Sequence, residues 1–104
     1  DHSKAEIDAP TAATSGTVSV THTTTKFTTT ATGGLNEWTL ANGTYIGQFK
    51  RLYLVTDGGE NLKVTPSVFI DGTFITFNTA LQETTLIWDG TNWRILSNNG
   101  GVIT

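Results

Sequence analysis

The sequence of 104 residues contains no cysteine, and this absence removes several classes of chemistry. Disulfide frameworks, thiolate metal sites and cysteine nucleophiles all need that side chain. Charge is also sparse, since 14% of the residues are charged and the net charge is -3. Lys50 and Arg51 form the only adjacent basic pair, whereas a nucleic-acid surface needs clustered positive charge. We therefore expect neither nucleic acid nor an anionic membrane as a partner.

Long apolar runs and helical periodicity are missing as well. No apolar run approaches the roughly 20 residues of a membrane span, and no segment sustains a period of 3.6 residues. Short β-branched runs instead alternate with turn signals such as Asp-Gly and Asn-Gly. Turn signals that recur roughly every ten residues are typical of all-β domains. The pattern predicts a small antiparallel β-sandwich or barrel.

The N-terminal segment differs in composition from the rest of the chain. Residues 1–16 are rich in Ala, Ser, Thr and Asp, and they predict an extended arm or linker. Residues 17–104 are predicted to form a single β domain. Residues 17–32 read as a Thr-rich strand that is polar on both faces, and such a strand sets its register weakly. It is either a surface strand of an ordinary sandwich or one that pairs with another subunit.

The central strand is predicted to be GQFKRLYLVT, which begins at Gly47. DGGEN (57–61) is predicted to turn the chain so that LKVT (62–65) returns, and Pro66 stops that strand or places it at an edge. The residues predicted to form the core are apolar positions of these strands and of the two that follow. They are Phe49, Leu52, Leu54, Phe69, Ile75, Phe77, Leu86, Trp88, Trp93 and Ile95.

Two of the three tryptophans flank a turn signal in the stretch LIWDGTNW, residues 86–93. An antiparallel hairpin around this turn pairs Trp88 with Trp93 and Leu86 with Ile95 on one face. This pairing gives both indoles a place in a core without any ligand, and we prefer it to a sugar-stacking platform. An exposed aromatic ringed by polar groups would suit a sugar better, and Trp38 beside Asn36 and Glu37 fits that description loosely.

Candidate catalytic groups are few. The two histidines, His2 and His22, lie in the predicted arm and in the Thr-rich strand, so no base is positioned for a nucleophile. Most of the carboxylates considered as a hydrolytic pair either precede glycine in turns or stand alone in the sequence. Those considered are Glu37, Asp57, Glu60, Asp71, Glu83 and Asp89. We predict no enzymatic activity, no metal site and no cofactor.

The C-terminal half combines several short motifs in a fixed order. They are Gly47, Leu52 to Val55, Gly58-Gly59, Val64-Thr65-Pro66, Ile75-Thr76-Phe77, Leu86, Trp88 to Gly90, and Trp93. In this order, over about residues 47–99, they resemble a small β module of the virion structural proteins of tailed bacteriophages. The module occurs in capsid decoration proteins, head fibres and tail-fibre or appendage proteins.

This resemblance implies a small β fold, often trimeric and without enzymatic activity. We expect a capsid decoration or cement protein that binds the outer capsid surface of the virion as a homotrimer. Its partners would be the major capsid protein or other virion proteins. We expect Ile7, Val18, Val20 and Phe27 to contact either the capsid or the sister subunits. The alternative is a receptor- or carbohydrate-binding domain of a phage fibre or tail appendage, located in the virion tail or fibre, with Trp38 as the glycan contact.

Overall fold

The computed structural model describes residues 7–8, 15–29 and 36–104, with side chains from residue 15 onward. The described chain is all-β, without a helix, and its ten strands form two five-stranded sheets. The strands are β1 (Ile7–Asp8), β2 (Ser15–Val18), β3 (Thr24–Thr28), β4 (Asn36–Leu40), β5 (Phe49–Thr56), β6 (Leu62–Pro66), β7 (Ile75–Phe77), β8 (Glu83–Trp88), β9 (Trp93–Asn99) and β10 (Val102–Ile103). The predicted all-β sandwich is confirmed.

The two sheets are mixed rather than antiparallel. Sheet A has the order β1-β3-β5-β8-β9 and sheet B the order β10-β7-β6-β4-β2, so β5 is central in sheet A as predicted. The pairs β1–β3, β3–β5, β2–β4 and β4–β6 are parallel, and the pairs that involve β7 to β10 are antiparallel. From β1 to β6 each strand lies in the other sheet from the one before it. Each strand from β3 to β6 pairs in parallel with the strand two earlier in the sequence.

The parallel pairs show that the prediction of an antiparallel sandwich was wrong in strand direction, and the alternation between sheets overturns two further sequence predictions. The turn over residues 57–61 carries the chain from sheet A to sheet B, so β6 does not return beside β5 but pairs with β4 and β7. The Thr-rich segment is not one strand, because β2 and β3 lie in different sheets and residues 19–23 connect them. Its last residues, 30–32, lie outside the described residues. β6 does end at Pro66, as predicted.

Part of the predicted arm belongs to the sheets. Ile7–Asp8 pairs in parallel with Thr24 and Thr25, and Ser15–Val18 pairs in parallel with β4. Regular pairing therefore includes residues on the N-terminal side of the predicted boundary between residues 16 and 17. The other residues of the predicted arm lie outside the described residues.

The core lies between the two sheets. Seven of the ten predicted core residues are buried there, and Phe69 and Ile95 are partly buried against them. The buried apolar residues are Val18, Phe27, Leu40, Leu52, Leu54, Leu62, Val64, Ile75, Phe77, Leu86, Trp88 and Trp93. Phe49 is 48% exposed, and its assignment to the core was wrong. Successive strand residues point to opposite faces, so β5 turns Lys50 inward and Phe49 outward.

The tryptophan hairpin forms with the predicted register. Trp88 pairs with Trp93 and Leu86 with Ile95, and the indole centroids of the tryptophans lie 5.3 Å apart in an edge-on arrangement. The Trp93 Nε1–H donates to the carbonyl oxygen of Ala41 at 2.9 Å. A Cβ at Gly43 would lie 2.2 Å from Cγ of Trp88. The backbone can therefore pass this close to the indole only because residue 43 is glycine and has no side chain.

Candidate functional site

Four connections meet at one end of the sandwich, which we call the loop end: residues 19–23, 41–48, 67–74 and 89–92. Backbone hydrogen bonds link the second and third of them to neighbouring strands. Gly47 N donates to Trp88 O at 2.8 Å, Ser67 N donates to Leu40 O at 2.8 Å, and Trp93 N donates to Val68 O at 2.9 Å. Loops held by a rigid sheet scaffold are the usual location of binding surfaces.

A small cleft of about 140 Å³ opens at the loop end between residues 20–23 and 44–49. The buried side chain of Gln48 joins its two walls. Gln48 Oε1 accepts from Thr44 N at 2.6 Å and from Thr44 Oγ1 at 3.2 Å, and Gln48 Nε2 donates to Val20 O at 2.8 Å. The cleft is therefore braced by hydrogen bonds within the protein. Tyr45 is 64% exposed and Phe49 is half exposed at its rim.

Several exposed or partly exposed apolar side chains lie on strands β5, β8 and β9 of sheet A and in the loop before β5. We call them the apolar strip: Ile46, Phe49, Ile87 and Leu96. Phe49 and Ile87 are direct cross-strand partners. Ile46 is 77% exposed and lies above Gly90 in the adjoining turn, and Leu96 is 56% exposed. The β8–β9 register shifts at Thr85/Leu86, so that Leu96 is an extra residue with no direct partner on β8.

Two ion pairs flank the apolar strip. Arg51 holds Glu83 through two hydrogen bonds, Nε to Oε1 at 3.1 Å and Nη2 to Oε2 at 2.5 Å. This contact raises the pKa of Arg51 and lowers the pKa of Glu83. The Arg51 guanidinium also lies 4.5 Å from the ring centroid of Tyr53. The second pair joins Arg94 Nε to Asp89 Oδ2 at 2.6 Å.

Asp89 organises the turn of the tryptophan hairpin. Its Oδ1 accepts from Asn92 N at 2.7 Å and from Thr91 N at 2.8 Å, while its Oδ2 accepts from Arg94. These hydrogen bonds lower the pKa of Asp89 to about 2. The bond from Asn92 N has the largest effect, followed by those from Arg94 and from Thr91 N. All three donors favour the charged carboxylate.

The depressed pKa of Asp89 predicts a loss of stability in acid. Because the folded-state value lies below the ordinary 3.8, the stabilisation is present above about pH 4 and is lost as the pH falls to about 2. We expect Asp89→Asn to flatten the fall in stability over this range, measured as the urea midpoint at each pH. Asp57→Asn is the matched control, since Asp57 accepts from Gly59 N at 3.0 Å in another Asp-Gly turn. An equally steep decline in Asp89→Asn would contradict the prediction.

The structure places the predicted contact residues differently from expectation. Val18 and Phe27 are buried in the core, so they offer no surface to a neighbouring protein, and that part of the prediction is corrected. The physical reason is that β2 and β3 lie in different sheets, and each turns its apolar side chain into the core rather than outward from one exposed strand. Val20 is half-buried and lines the cleft. The side chain of Ile7 lies outside the described residues.

Trp38 is not an exposed aromatic at a loop tip. It lies in the middle of β4, packs partly buried against the core, and meets Phe27 edge-on with ring centroids 5.4 Å apart. A Cβ on Gly16, its partner on β2, would come within 2.7 Å of the indole. This packing leaves little of the ring for a sugar, and the aromatic that the structure exposes at a loop is Tyr45 instead.

Most of the carboxylates considered for catalysis have structural partners. Glu37 lies 3.6 Å from Lys63 Nζ, and Asp71 Oδ2 accepts from Ile95 N at 2.8 Å. Within the described residues, no group of three or more metal-ligating side chains comes together. The described part of the chain also has no helix long and apolar enough to cross a membrane.

Sequence reasoning missed Tyr45, Ile46 and Leu96. The Asn-Gly turn signal at residues 42–43 marked the loop that presents Tyr45 and Ile46, but no sequence signal marked the bulge that turns Leu96 outward. Comparison of the sequence with protein family models and with curated proteins finds no match.

Proposed function

We propose that this chain is a non-enzymatic structural protein of a tailed-bacteriophage virion that attaches to the outer capsid surface as an oligomer. The observation that carries the proposal is the apolar strip on sheet A, flanked by the Arg51–Glu83 and Asp89–Arg94 ion pairs. An apolar centre within a charged rim is the usual anatomy of a protein–protein contact. The proposal of a virion protein rests on the resemblance of the sequence motifs over residues 47–99 to those of phage structural proteins.

The size of the apolar strip favours an oligomer. Burying a large apolar side chain completely contributes about 1.5–3 kcal/mol, and the strip's residues are already partly covered. Association costs at least about 4 kcal/mol in lost rigid-body freedom, so one strip alone supports only weak attachment. A trimer that engages three strips at once gains a factor of about 10²–10⁴ through effective concentration. Trimerisation and attachment are therefore parts of the same proposal.

Charge placed within the strip tests the attachment. The chain is measured by light scattering, and then sedimented with empty capsids of the phage that encodes it, purified without this protein. We expect the unaltered chain to be trimeric and to sediment with capsids, and Leu96→Asp to remain in solution because attachment would desolvate its carboxylate.

Val102→Asp is the matched control for this experiment. Val102 is 51% exposed, close to the exposure of Leu96, but it lies in sheet B, away from the strip. This variant should sediment with capsids like the unaltered chain. Failure of the unaltered chain to bind capsids, or full binding by Leu96→Asp, would refute capsid attachment through this face.

A receptor- or carbohydrate-binding domain of a phage fibre or tail appendage is the second candidate function. The observation that favours it is the braced cleft at the loop end, which lies beside Tyr45 and is separate from Leu96.

A further inference from the structure

The cleft at the loop end has the chemistry of a small binding site. Its lining consists of residues 20–23 on one wall and residues 44, 45, 48 and 49 on the other. None of them is Asp, Glu, Lys or Arg, so the lining carries no fixed charge to recognise an ionic ligand. Two exposed aromatic rings face this space together with hydroxyl groups and an imidazole. Such a surface matches a ligand that has both an apolar face and several hydroxyl groups.

The walls of the cleft are held before any ligand arrives. In addition to the Gln48 bridge, Lys50 Nζ donates to His22 O at 2.8 Å from beneath, and His22 Nδ1 lies 2.8 Å from Ser19 Oγ. A site whose polar groups are already positioned loses little conformational entropy on binding. The exposed ring of Tyr45 is then the natural stacking surface, with the hydroxyl groups of Thr21 and Thr44 within the same lining.

We infer that this cleft binds a single ring of a neutral carbohydrate. Its volume of about 140 Å³ is below the roughly 300 Å³ of sites for drug-sized molecules, so one sugar ring is the appropriate size. A ligand of this size in a shallow site binds with a Kd on the order of millimolar. The inference deepens the second candidate function, because it names the ligand class and the residues, Tyr45 in place of Trp38.

The test is an NMR titration of the isotopically labelled chain with glucose, galactose, mannose and N-acetylglucosamine, with glucuronate as the charged comparison. We expect at least one neutral sugar to shift the amide signals of residues 20–23 and 44–49 in a saturable manner. Tyr45→Ala should weaken that binding by about two- to tenfold, because it removes the stacking surface. Ile46→Ala is the matched control, since Ile46 is the exposed neighbour of Tyr45 and does not line the cleft.

Three results would overturn the inference. They are the absence of saturable shifts at these residues with every neutral sugar, undiminished binding by Tyr45→Ala, and preferential binding of glucuronate.

A separate measurement, adsorption of the fluorescently labelled chain to host cells, tests the receptor function itself. Adsorption without sugar binding would reject the cleft and keep the receptor function, whereas sugar binding without adsorption would keep the cleft and reject receptor binding. The capsid experiment is read at Leu96, which does not line the cleft, although Phe49 belongs to both surfaces.

Discussion

Replacing Trp93 by alanine should lower the free energy of unfolding by about 3–5 kcal/mol, the range typical of aromatic truncations in cores. Trp93 is fully buried, packs edge-on against Trp88, and donates from Nε1 to Ala41 O across the loop end. Truncation removes the ring and also leaves that carbonyl without its donor. Small domains have a total stability of about 5–15 kcal/mol, so the loss is a large fraction of the whole.

Urea denaturation of the purified variants measures this effect. Trp93→Phe is an informative second variant, because it loses the Nε1 donor and part of the ring but keeps much of the apolar volume, so it should be less destabilised than Trp93→Ala. Trp88→Ala should also cost about 3–5 kcal/mol, since Trp88 is the buried partner in the same hairpin. A loss below about 1 kcal/mol in Trp93→Ala would show that the hairpin does not anchor the core.

The second large effect concerns the ammonium group inside the sandwich. Lys50 is 1% exposed, and its Nζ donates to Thr25 Oγ1 at 2.6 Å and to His22 O at 2.8 Å. A hydrogen bond to a charged group contributes about 1.5–3 kcal/mol. We expect Thr25→Val, which keeps the shape of the side chain and removes its oxygen, to destabilise the protein by about that amount.

Two comparisons separate this charged contact from ordinary burial. Thr84→Val removes a neutral bond, Thr84 Oγ1 to Asn98 Oδ1 at 2.7 Å, from an equally buried threonine and should cost only about 0.5–1.5 kcal/mol. In a Lys50→Met background, Thr25→Val should cost much less than it does alone, giving a coupling of about 1 kcal/mol or more in urea denaturation. Strictly additive losses would mean that the contact contributes nothing specific.

The tryptophan hairpin shows what local sequence can determine. Its strands adjoin a turn of known chemistry, and alternation along the strands sets which residues share a face, so the pairing of Trp88 with Trp93 follows from a window of about ten residues. The central position of β5 was likewise predicted from its apolar run. These predictions needed no information about distant parts of the chain.

Phe49 and Lys50 show where such reasoning was insufficient. Alternation alone puts Phe49 and Leu52 on opposite faces, and hydrophobicity favours Phe49 for the core over a lysine. Lys50 is turned inward because the His22 carbonyl and the Thr25 hydroxyl, more than twenty residues away, supply oxygen atoms to its ammonium group. Only the tertiary structure brings those oxygens to β5, and the outward position of Phe49 beside Ile87 follows from it.

By itself the sequence determined the all-β class, the central strand and the tryptophan hairpin, because each depends on local periodicity and turn chemistry. The tertiary structure decided which sheet each strand joins. A turn signal such as residues 57–61 allows either a hairpin or a crossing, and the choice depends on the apolar faces available to β6 in the assembled core. The assignment of strands to sheets buries Val18 and Phe27 between them, whereas the β9 bulge and the loop before β5 leave Leu96 and Tyr45 at the surface.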